Sequence, residues 1–294
     1  MMSREQMMVD SSLTQLRALR DSPAEQFDLA LRLVAKERNA DTVIAAAAVI
    51  EAVADERARA PLLARYDDLD QNGARRDPGG AIRIALLRAL APIARSDDAG
   101  LFARAAATYE HRYGEVAGDL RAAGVLGLSQ VDRNLAGFHA VRLLHDQHTS
   151  PMSGEPAVTA ARVLAGIGQP LPLYAVVVRD NGLPGEIVGE CLRGLTELPA
   201  SLIPPLIDRY RENRDEVVLL GLYDLLLQHP AHSDYMPVVR DFLRTTALID
   251  LYRSLVATLI AGRDPAWLNE LKRQAEVEKH PVKAEILREA LPPR

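Results

Sequence analysis

The chain has 294 residues, of which 48% are hydrophobic, 26% charged and only 4% aromatic, and its net charge is −5. This composition provides enough apolar residues for a packed core and excludes an intrinsically disordered chain. The acidic balance argues against a dedicated nucleic-acid binder, and the shortage of aromatic residues favours helices over β-sandwiches and barrels.

The single cysteine, Cys191, cannot form an internal disulfide, which indicates a reducing, cytoplasmic location. The first residues lack the apolar core of a signal peptide. The longest uninterrupted apolar run, residues 43–50, is too short to span a membrane, so we expect no membrane partner. Most basic residues are Arg rather than Lys, which together with the abundant Ala is typical of GC-rich bacterial genes.

In chain order, residues 1–22 are predicted to form an N-terminal cap with a helix through Leu13, Leu16 and Leu19. A recurring motif follows, in which an aliphatic residue is succeeded by small or aliphatic residues four, five and eight positions later. That spacing defines one face of a helix. The first aliphatic residues of the successive copies are Val43, Ile82, Leu120, Val158, Ile187, Val217, Ile249 and Val282.

Candidate partner helices lie between these motif helices, over residues 24–37, 57–69, 99–112, 132–147, 170–179, 201–213, 233–245 and 265–278. Turn and helix-start residues such as Asn39 and Asp77-Pro78 separate the two helices of a pair. Helix pairs that repeat every 30 to 40 residues, roughly, are typical of an α-solenoid. We therefore predict an all-α fold, with one right-handed α-solenoid of about seven to eight helix pairs over residues 1–294 and a C-terminal cap over residues 263–294.

Two copies of the motif carry a more specific signal. Asp77 precedes Arg83 by six residues, and Glu115 precedes Arg121 by the same interval. With the flanking Ile82, Ala85 and Leu120, these residues resemble HEAT repeats, including the HEAT-like type first described in phycobilisome lyases. The resemblance implies that the acid and the Arg form a ladder between repeats. Other residues stand at the Arg position elsewhere, namely Ile44, Thr159, Val188, Val218, Asp250 and Lys283.

The resemblance also implies that positions two and six after each first aliphatic residue face a concave groove and are usually polar. In this chain many of them are apolar, and we expect an exposed apolar strip, since such strips usually mark contact sites. An alternative is that the same positions are buried within the chain. The predicted partner-binding residues are Arg88, Leu126, Leu164, Arg193, Leu219, Tyr223, Leu251 and Leu255.

The predicted function is a non-enzymatic scaffold that binds a protein or peptide, with Arg88 and Arg193 steering its acidic groups. One alternative, implied by the resemblance alone, is a chromophore lyase or chaperone-like accessory factor. Another is a structural homodimer through the C-terminal half, because residues 216–228 and 247–261 are apolar on most of their circumference and must be covered. The family's di-iron hydroxylase uses His-Glu dipeptides, which are absent from the sequence. Its DNA-repair branch uses a basic groove, which does not fit an acidic chain.

The sequence predicts no catalytic residue, metal or cofactor. Asp68, Asp70 and Asn72 match the opening of a calcium loop, but Gly79 stands where its final Glu belongs, so a polar loop is the simpler interpretation. A zinc site could use the spacing of His139, His145 and His148, yet the further ligands that zinc needs are not evident. The position of Cys191 in the motif predicts a core residue.

Overall fold

A computed structural model describes residues 12–111, 114–179 and 182–291. All regular secondary structure in these residues is helical, apart from one isolated bridge between His111 and Glu115. The all-α prediction is therefore confirmed. The chain divides into two compact units between Gln169 and Pro170, and the prediction of a single repeat domain stays a prediction.

The helices of the first unit follow the predicted positions closely. Residues 12–18 are helical and bury Leu16, whereas Leu19 follows this helix in a turn; residues 1–11 of the predicted cap lie outside the described residues. The remaining helices are α1 (Pro23–Lys36), α2 (Ala40–Val53), α3 (Arg59–Asp70), α4 (Gly73–Arg76), α5 (Ala81–Leu90), α6 (Ala99–Ala106), α7 (Gly118–Val131), α8 (Arg133–Leu144) and α9 (Ala157–Gly166).

The second unit continues the alternation of helices. Its last two helices form the segment predicted as a C-terminal cap. In chain order its helices are α10 (Pro170–Arg179), α11 (Gly185–Arg193), α12 (Ile203–Tyr210), α13 (Glu216–Gln228), α14 (His232–Thr245), α15 (Ile249–Ala261), α16 (Pro265–Val277) and α17 (Pro281–Ala290).

Within each unit the helices that carry the motif contact one another in sequence. In the first unit α2 contacts α5, α5 contacts α7 and α7 contacts α9, while α1, α3, α6 and α8 each contact at least one of these helices. In the second unit α11 contacts α13, α13 contacts α15 and α15 contacts α17. The shared apolar face of the motif thus lies between helices, where its burial stabilises the fold.

Side-chain caps begin several of these helices where the sequence places Asn or Asp. The side chain of Asn39 accepts a hydrogen bond from the N–H of Thr42 at the start of α2. Asp132 caps α8 in the same way, and Asp215 caps α13. Each cap satisfies a backbone N–H that has no partner within its own helix, which fixes the start of the helix.

Small residues allow the closest helix contacts. A Cβ atom on Gly127 of α7 would lie 2.1 Å from the ring of Phe102 on α6. A Cβ atom on Gly221 of α13 would lie 2.3 Å from the carbonyl oxygen of Gly189 on α11. Both separations are shorter than van der Waals contact, so only glycine permits these two helix pairs to pack as they do.

The predicted register of the motif is correct in its first five copies and slips in the last three. The first aliphatic residue is buried at Val43, Ile82, Leu120, Val158 and Ile187. By contrast, Val217 and Val282 are 39% and 38% exposed, and Ile249 is half-buried. In α13 and α15 the buried face begins one or two residues later, at Val218 and Leu251.

Candidate functional site

The exposed apolar strip predicted on the motif helices is absent at five of its six apolar residues. Leu126 is 48% exposed, whereas the other five are at most 3% exposed: Leu164, Leu219, Tyr223, Leu251 and Leu255. The expectation that these five residues line an open groove is wrong, because a partner could reach them only after the helices had separated.

The register slip explains four of these burials. Because the buried face of α13 begins at Val218, Leu219 and Tyr223 lie one and five positions after it, on the core side of the helix. Leu251 begins the buried face of α15 itself, and Leu255 follows one turn later. Leu164 has a different cause, since α9 is buried on most of its circumference.

The apolar helices of the C-terminal half are covered within their own unit. Helix α13 contacts α11, α12, α14 and α15, and α15 contacts α16 and α17 as well. Helices of the same unit therefore cover the apolar surfaces of α13 and α15, and covering them does not require a second copy of the chain.

The charge of Arg193, the second predicted steering residue, is neutralised by two carboxylates of the same chain. Its Nε donates to Oδ2 of Asp224 on α13 at 2.8 Å, and its Nη1 donates to Oε2 of Glu190 at 2.8 Å. With the register corrected, Asp224 stands six residues after Val218, as Arg193 stands six residues after Ile187. The two residues occupy equivalent positions on neighbouring helices and pair with each other.

Arg88 and Leu126 are the two predicted site residues that remain accessible. Arg88 follows Ile82 by six residues on α5, and Leu126 follows Leu120 by six residues on α7, which packs against α5. Both are exposed, and the Arg88 guanidinium has no ion-pair partner among the described residues. Val49 is the equivalent residue of α2 and is half-buried. We call Val49, Arg88 and Leu126 the inner row.

The first predicted ladder residue, Arg83, is buried in a cluster of carboxylates. Its side chain is 1% exposed, with Nε 3.2 Å from Oδ2 of Asp77 and Nη2 2.7 Å from Oε1 of Glu110. The Asp77 carboxylate also accepts the backbone N–H groups of Ile82 and Arg83 at the start of α5. The predicted Asp77–Arg83 pair is confirmed, and Glu110, which follows α6, extends it to the next pair of helices.

Arg121 repeats this arrangement one helix pair later. Its side chain is fully buried, with Nη1 2.7 Å from Oε1 of Glu115 and Nε 3.0 Å from Oδ2 of Asp146. Nη1 also donates to the carbonyl oxygen of Thr108, and the guanidinium lies 4.1 Å from the centre of the Tyr109 ring. The Glu115–Arg121 pair is confirmed, and Asp146 takes the place that Glu110 has beside Arg83.

The electrostatics of this cluster keep both partners charged. Burial disfavours the ionised form of Glu115, but hydrogen bonds from Arg121 and from the N–H groups of Ala117 and Glu110 outweigh it, so the pKa of Glu115 lies below its ordinary value. Burial likewise disfavours the charge of Arg121, but Glu115 and Asp146 outweigh it and raise its pKa. These charges are compensated within the fold and hold helices together; none is free to act as an acid or a base on a substrate.

A third buried cation stands at the ladder position of the last motif helix. The Lys283 side chain is buried, its Nζ donates to the carbonyl oxygen of Leu243 at 3.0 Å, and it lies 4.9 Å from the centre of the Tyr252 ring. Burial lowers the pKa of Lys283, and the nearby Glu278 opposes that effect. The alignment of the motif copies places Lys283 at the Arg position. Only the structure shows that its side chain is buried there and hydrogen-bonded to a backbone carbonyl.

The calcium-like segment does not form a cation loop. Asp68 and Asp70 lie within α3, and the Asp68 carboxylate pairs with Arg76 at 2.7 Å. Asp70 lies 3.5 Å from Arg83, and Gly73 leaves room for that guanidinium. Within the described ranges, no group of three or more His, Cys, Asp or Glu side chains is arranged to hold a metal ion.

In the part of the chain that the structure describes, His139, His145 and His148 do not belong to any group of three side chains that could hold a metal ion. His139 is 3.4 Å from Arg142, and the His148 ring meets the rings of Tyr109 and His111 edge to face. His229 is buried in the second unit, where Nε2 lies 2.7 Å from the carbonyl oxygen of Leu198. The zinc-like spacing of His139, His145 and His148 in the sequence therefore has no matching geometry in the described residues.

The prediction that Cys191 is a core residue is confirmed. It is fully buried, and burial raises the pKa of its thiol to about 12. A thiol in this state has almost no reactive thiolate at neutral pH.

Comparison of the chain with protein-family models, with curated proteins and with solved structures finds no match. In the part of the chain that the structure describes, no helix is both long enough and apolar enough to cross a membrane.

Proposed function

We propose that the chain is a non-enzymatic interaction scaffold of the HEAT-like α-solenoid type, and that it binds a protein segment along the inner row of its first unit. The fold part of this proposal is supported by the ordered contacts between successive motif helices and by the buried clusters around Arg83 and Arg121. Helix pairs that contact mainly their neighbours are what a solenoid requires.

One observation carries the binding part. Arg88 and Leu126 are exposed at equivalent positions on two contacting helices, and Arg88 has no acidic partner among the described residues. The equivalent Arg193 is neutralised by Asp224. An unpaired Arg and an exposed Leu on contacting helices suit a partner that presents an apolar side chain next to a carboxylate. Arg is a frequent binding anchor and pairs with carboxylates, and an apolar contact removes the Leu126 side chain from water.

A site-specific photocrosslinker tests this proposal directly. A benzoylphenylalanine at position 126 should form a covalent adduct with one defined partner segment, which mass spectrometry identifies. The same probe at position 138 is the control, because Phe138 is 78% exposed on α8 but lies outside the inner row. An adduct that forms equally at both positions would show non-specific contact and count against the proposal.

The identified partner then permits a quantitative test with purified proteins. We expect Arg88→Glu and Leu126→Asp each to weaken binding by about tenfold or more, because each removes an anchor of an interface. Phe138→Asp introduces the same kind of charge elsewhere and should leave the affinity unchanged. If Arg88→Glu and Leu126→Asp bind as tightly as the original chain, the inner row is not the binding site.

A further inference from the structure

A cavity of 310 Å³ opens beside the inner row in the first unit, next to the helical segment of residues 12–18. This volume is at the small end of ligand cavities, so it suits a side chain better than a large cofactor. Four aliphatic side chains and three polar ones line it. They are Leu13, Leu16, Ala45, Val49, Arg17, Arg20 and Gln26.

The polar groups at this cavity are cationic or neutral. Arg17 and Arg20 are exposed, and neither guanidinium has an ion-pair partner among the residues that the structure describes. The Gln26 amide donates to the carbonyl oxygen of Leu16 at 2.9 Å and brings no charge. The cavity is therefore apolar inside and positive at its edge, although the chain as a whole carries a net charge of −5.

This arrangement selects the chemistry of its occupant. An aliphatic side chain gains the hydrophobic free energy of leaving water, whereas a basic side chain inside the cavity would meet no acidic group of the lining. Carboxylates next to that side chain would meet two guanidinium groups, which bind carboxylates through paired N–H donors. A peptide with basic residues at the same places would be repelled.

We propose that this cavity is an anchor pocket for a partner peptide, which inserts one aliphatic side chain and pairs its flanking acidic residues with Arg17 and Arg20. The inference rests on the proposed function, because Val49 belongs both to the inner row and to the pocket wall. It adds the chemistry of the partner, an acidic segment with an aliphatic anchor, and places that anchor at the end of the inner row on α2.

Two blocked synthetic peptides serve as probes, Gly-Leu-Glu-Leu-Glu-Gly and its counterpart with Lys in place of Glu. Methyl NMR of the full chain reports where each one binds. We expect the Glu peptide to shift the methyl signals of Leu13, Leu16 and Val49, and the Lys peptide to shift none of them. Raising the salt concentration should weaken the Glu peptide's binding, since exposed charge pairs are screened.

Variants of the pocket separate shape from charge. Ala45→Leu fills the cavity and should abolish the shifts, whereas Ala48→Leu, an exposed position of the same helix outside the cavity, is the matched control. The double variant Arg17→Glu/Arg20→Glu should weaken the Glu peptide by about tenfold and allow the Lys peptide to bind. Circular dichroism confirms that each variant is folded.

The outcomes distinguish this inference from the proposed function. Equal shifts with both peptides, or shifts that survive Ala45→Leu, would overturn the anchor pocket. If the Glu peptide shifts only the Leu126 methyl signals, the inner row is supported as a binding surface and the anchor pocket is refuted. If neither peptide shifts any of these methyl signals and position 126 also yields no crosslinked partner, both are refuted.

Discussion

Replacing Arg121 by Met removes the cation from a cluster that is buried away from the surface. The carboxylates of Glu115 and Asp146 are 3% and 2% exposed and lie 2.7 and 3.0 Å from the guanidinium. Removing one partner of a buried ion pair typically costs about 3–5 kcal/mol, because the remaining charge keeps its desolvation penalty. We expect Arg121→Met to lower the free energy of unfolding by that amount at neutral pH.

Urea denaturation followed by far-UV circular dichroism measures this loss. Arg104→Met is the matched control, because Arg104 and Asp67 form a 2.7 Å ion pair whose side chains are both more than half exposed. Exposed pairs contribute about 0–1 kcal/mol, so the control should change little. The double variant Glu115→Gln/Arg121→Met should recover part of the loss, because one uncompensated charge is gone.

The pH dependence gives a second, independent check. The folded-state pKa of Glu115 is lowered, so its contribution to stability is present above its unfolded pKa of about 4.3 and is lost as the pH falls through the folded value. Without Arg121 the pKa of the Glu115 carboxylate should rise. Mild acidification would then protonate it and remove the cost of an uncompensated buried charge. The difference in stability between the original chain and Arg121→Met should therefore shrink as the pH falls. A loss below about 1 kcal/mol, or one that grows on acidification, would refute the assignment of Arg121 to a buried ladder.

Two further predictions concern packing. Gly127→Ala should destabilise the chain by about 1–3 kcal/mol in thermal or urea unfolding, because the new methyl group would collide with Phe102. Gly166→Ala is its control: nothing lies within 4 Å of a Cβ atom there, so the change should be neutral or slightly stabilising, and equal losses at both sites would contradict the close-approach argument. Cys191 should react with a thiol reagent only as fast as the chain unfolds, since its pKa is raised to about 12 and it is fully buried; rapid labelling of the folded chain would contradict its place in the core.

The sequence predicts the helices well because their signals are local. Caps, prolines and the spacing of aliphatic residues lie within a few positions of the elements that they define, and the same holds for the six-residue interval between Asp77 and Arg83. The other half of each ladder is not local. Glu110 reaches Arg83 from 27 residues away, and Asp146 lies 25 residues beyond Arg121. No periodicity relates these residues, so their pairing emerges only when the helices pack.

The candidate site was harder to predict because exposure depends on register. Residues 217–220 are all aliphatic, so the motif of α13 can begin with an aliphatic residue at either Val217 or Val218. The structure selects Val218, and that choice moves Leu219 and Tyr223 from the groove into the core. A one-residue ambiguity rotates a helix by about 100°, which is enough to turn a binding surface into a packing surface. The inner row keeps its predicted register because the first aliphatic residues of its three helices, Val43, Ile82 and Leu120, are buried as the motif predicts.

Arg193 is paired with a carboxylate and Arg88 is not, among the described residues, for a reason that can be tested. Both stand six residues after the first core residue of their helix, but the equivalent residue of the next helix is Asp224 for Arg193 and Leu126 for Arg88. Leu126→Asp should therefore create in the first unit the ion pair that the second unit already has. We expect it to leave stability unchanged or raise it by about 0.2–1 kcal/mol, with a gain that high salt removes, while it weakens binding of the partner by about tenfold or more. Adding Arg88→Ala to Leu126→Asp should cancel the gain. If Leu126→Asp destabilises the chain by more than about 1 kcal/mol, Leu126 is packed in the fold and the exposed inner row is not free for a partner.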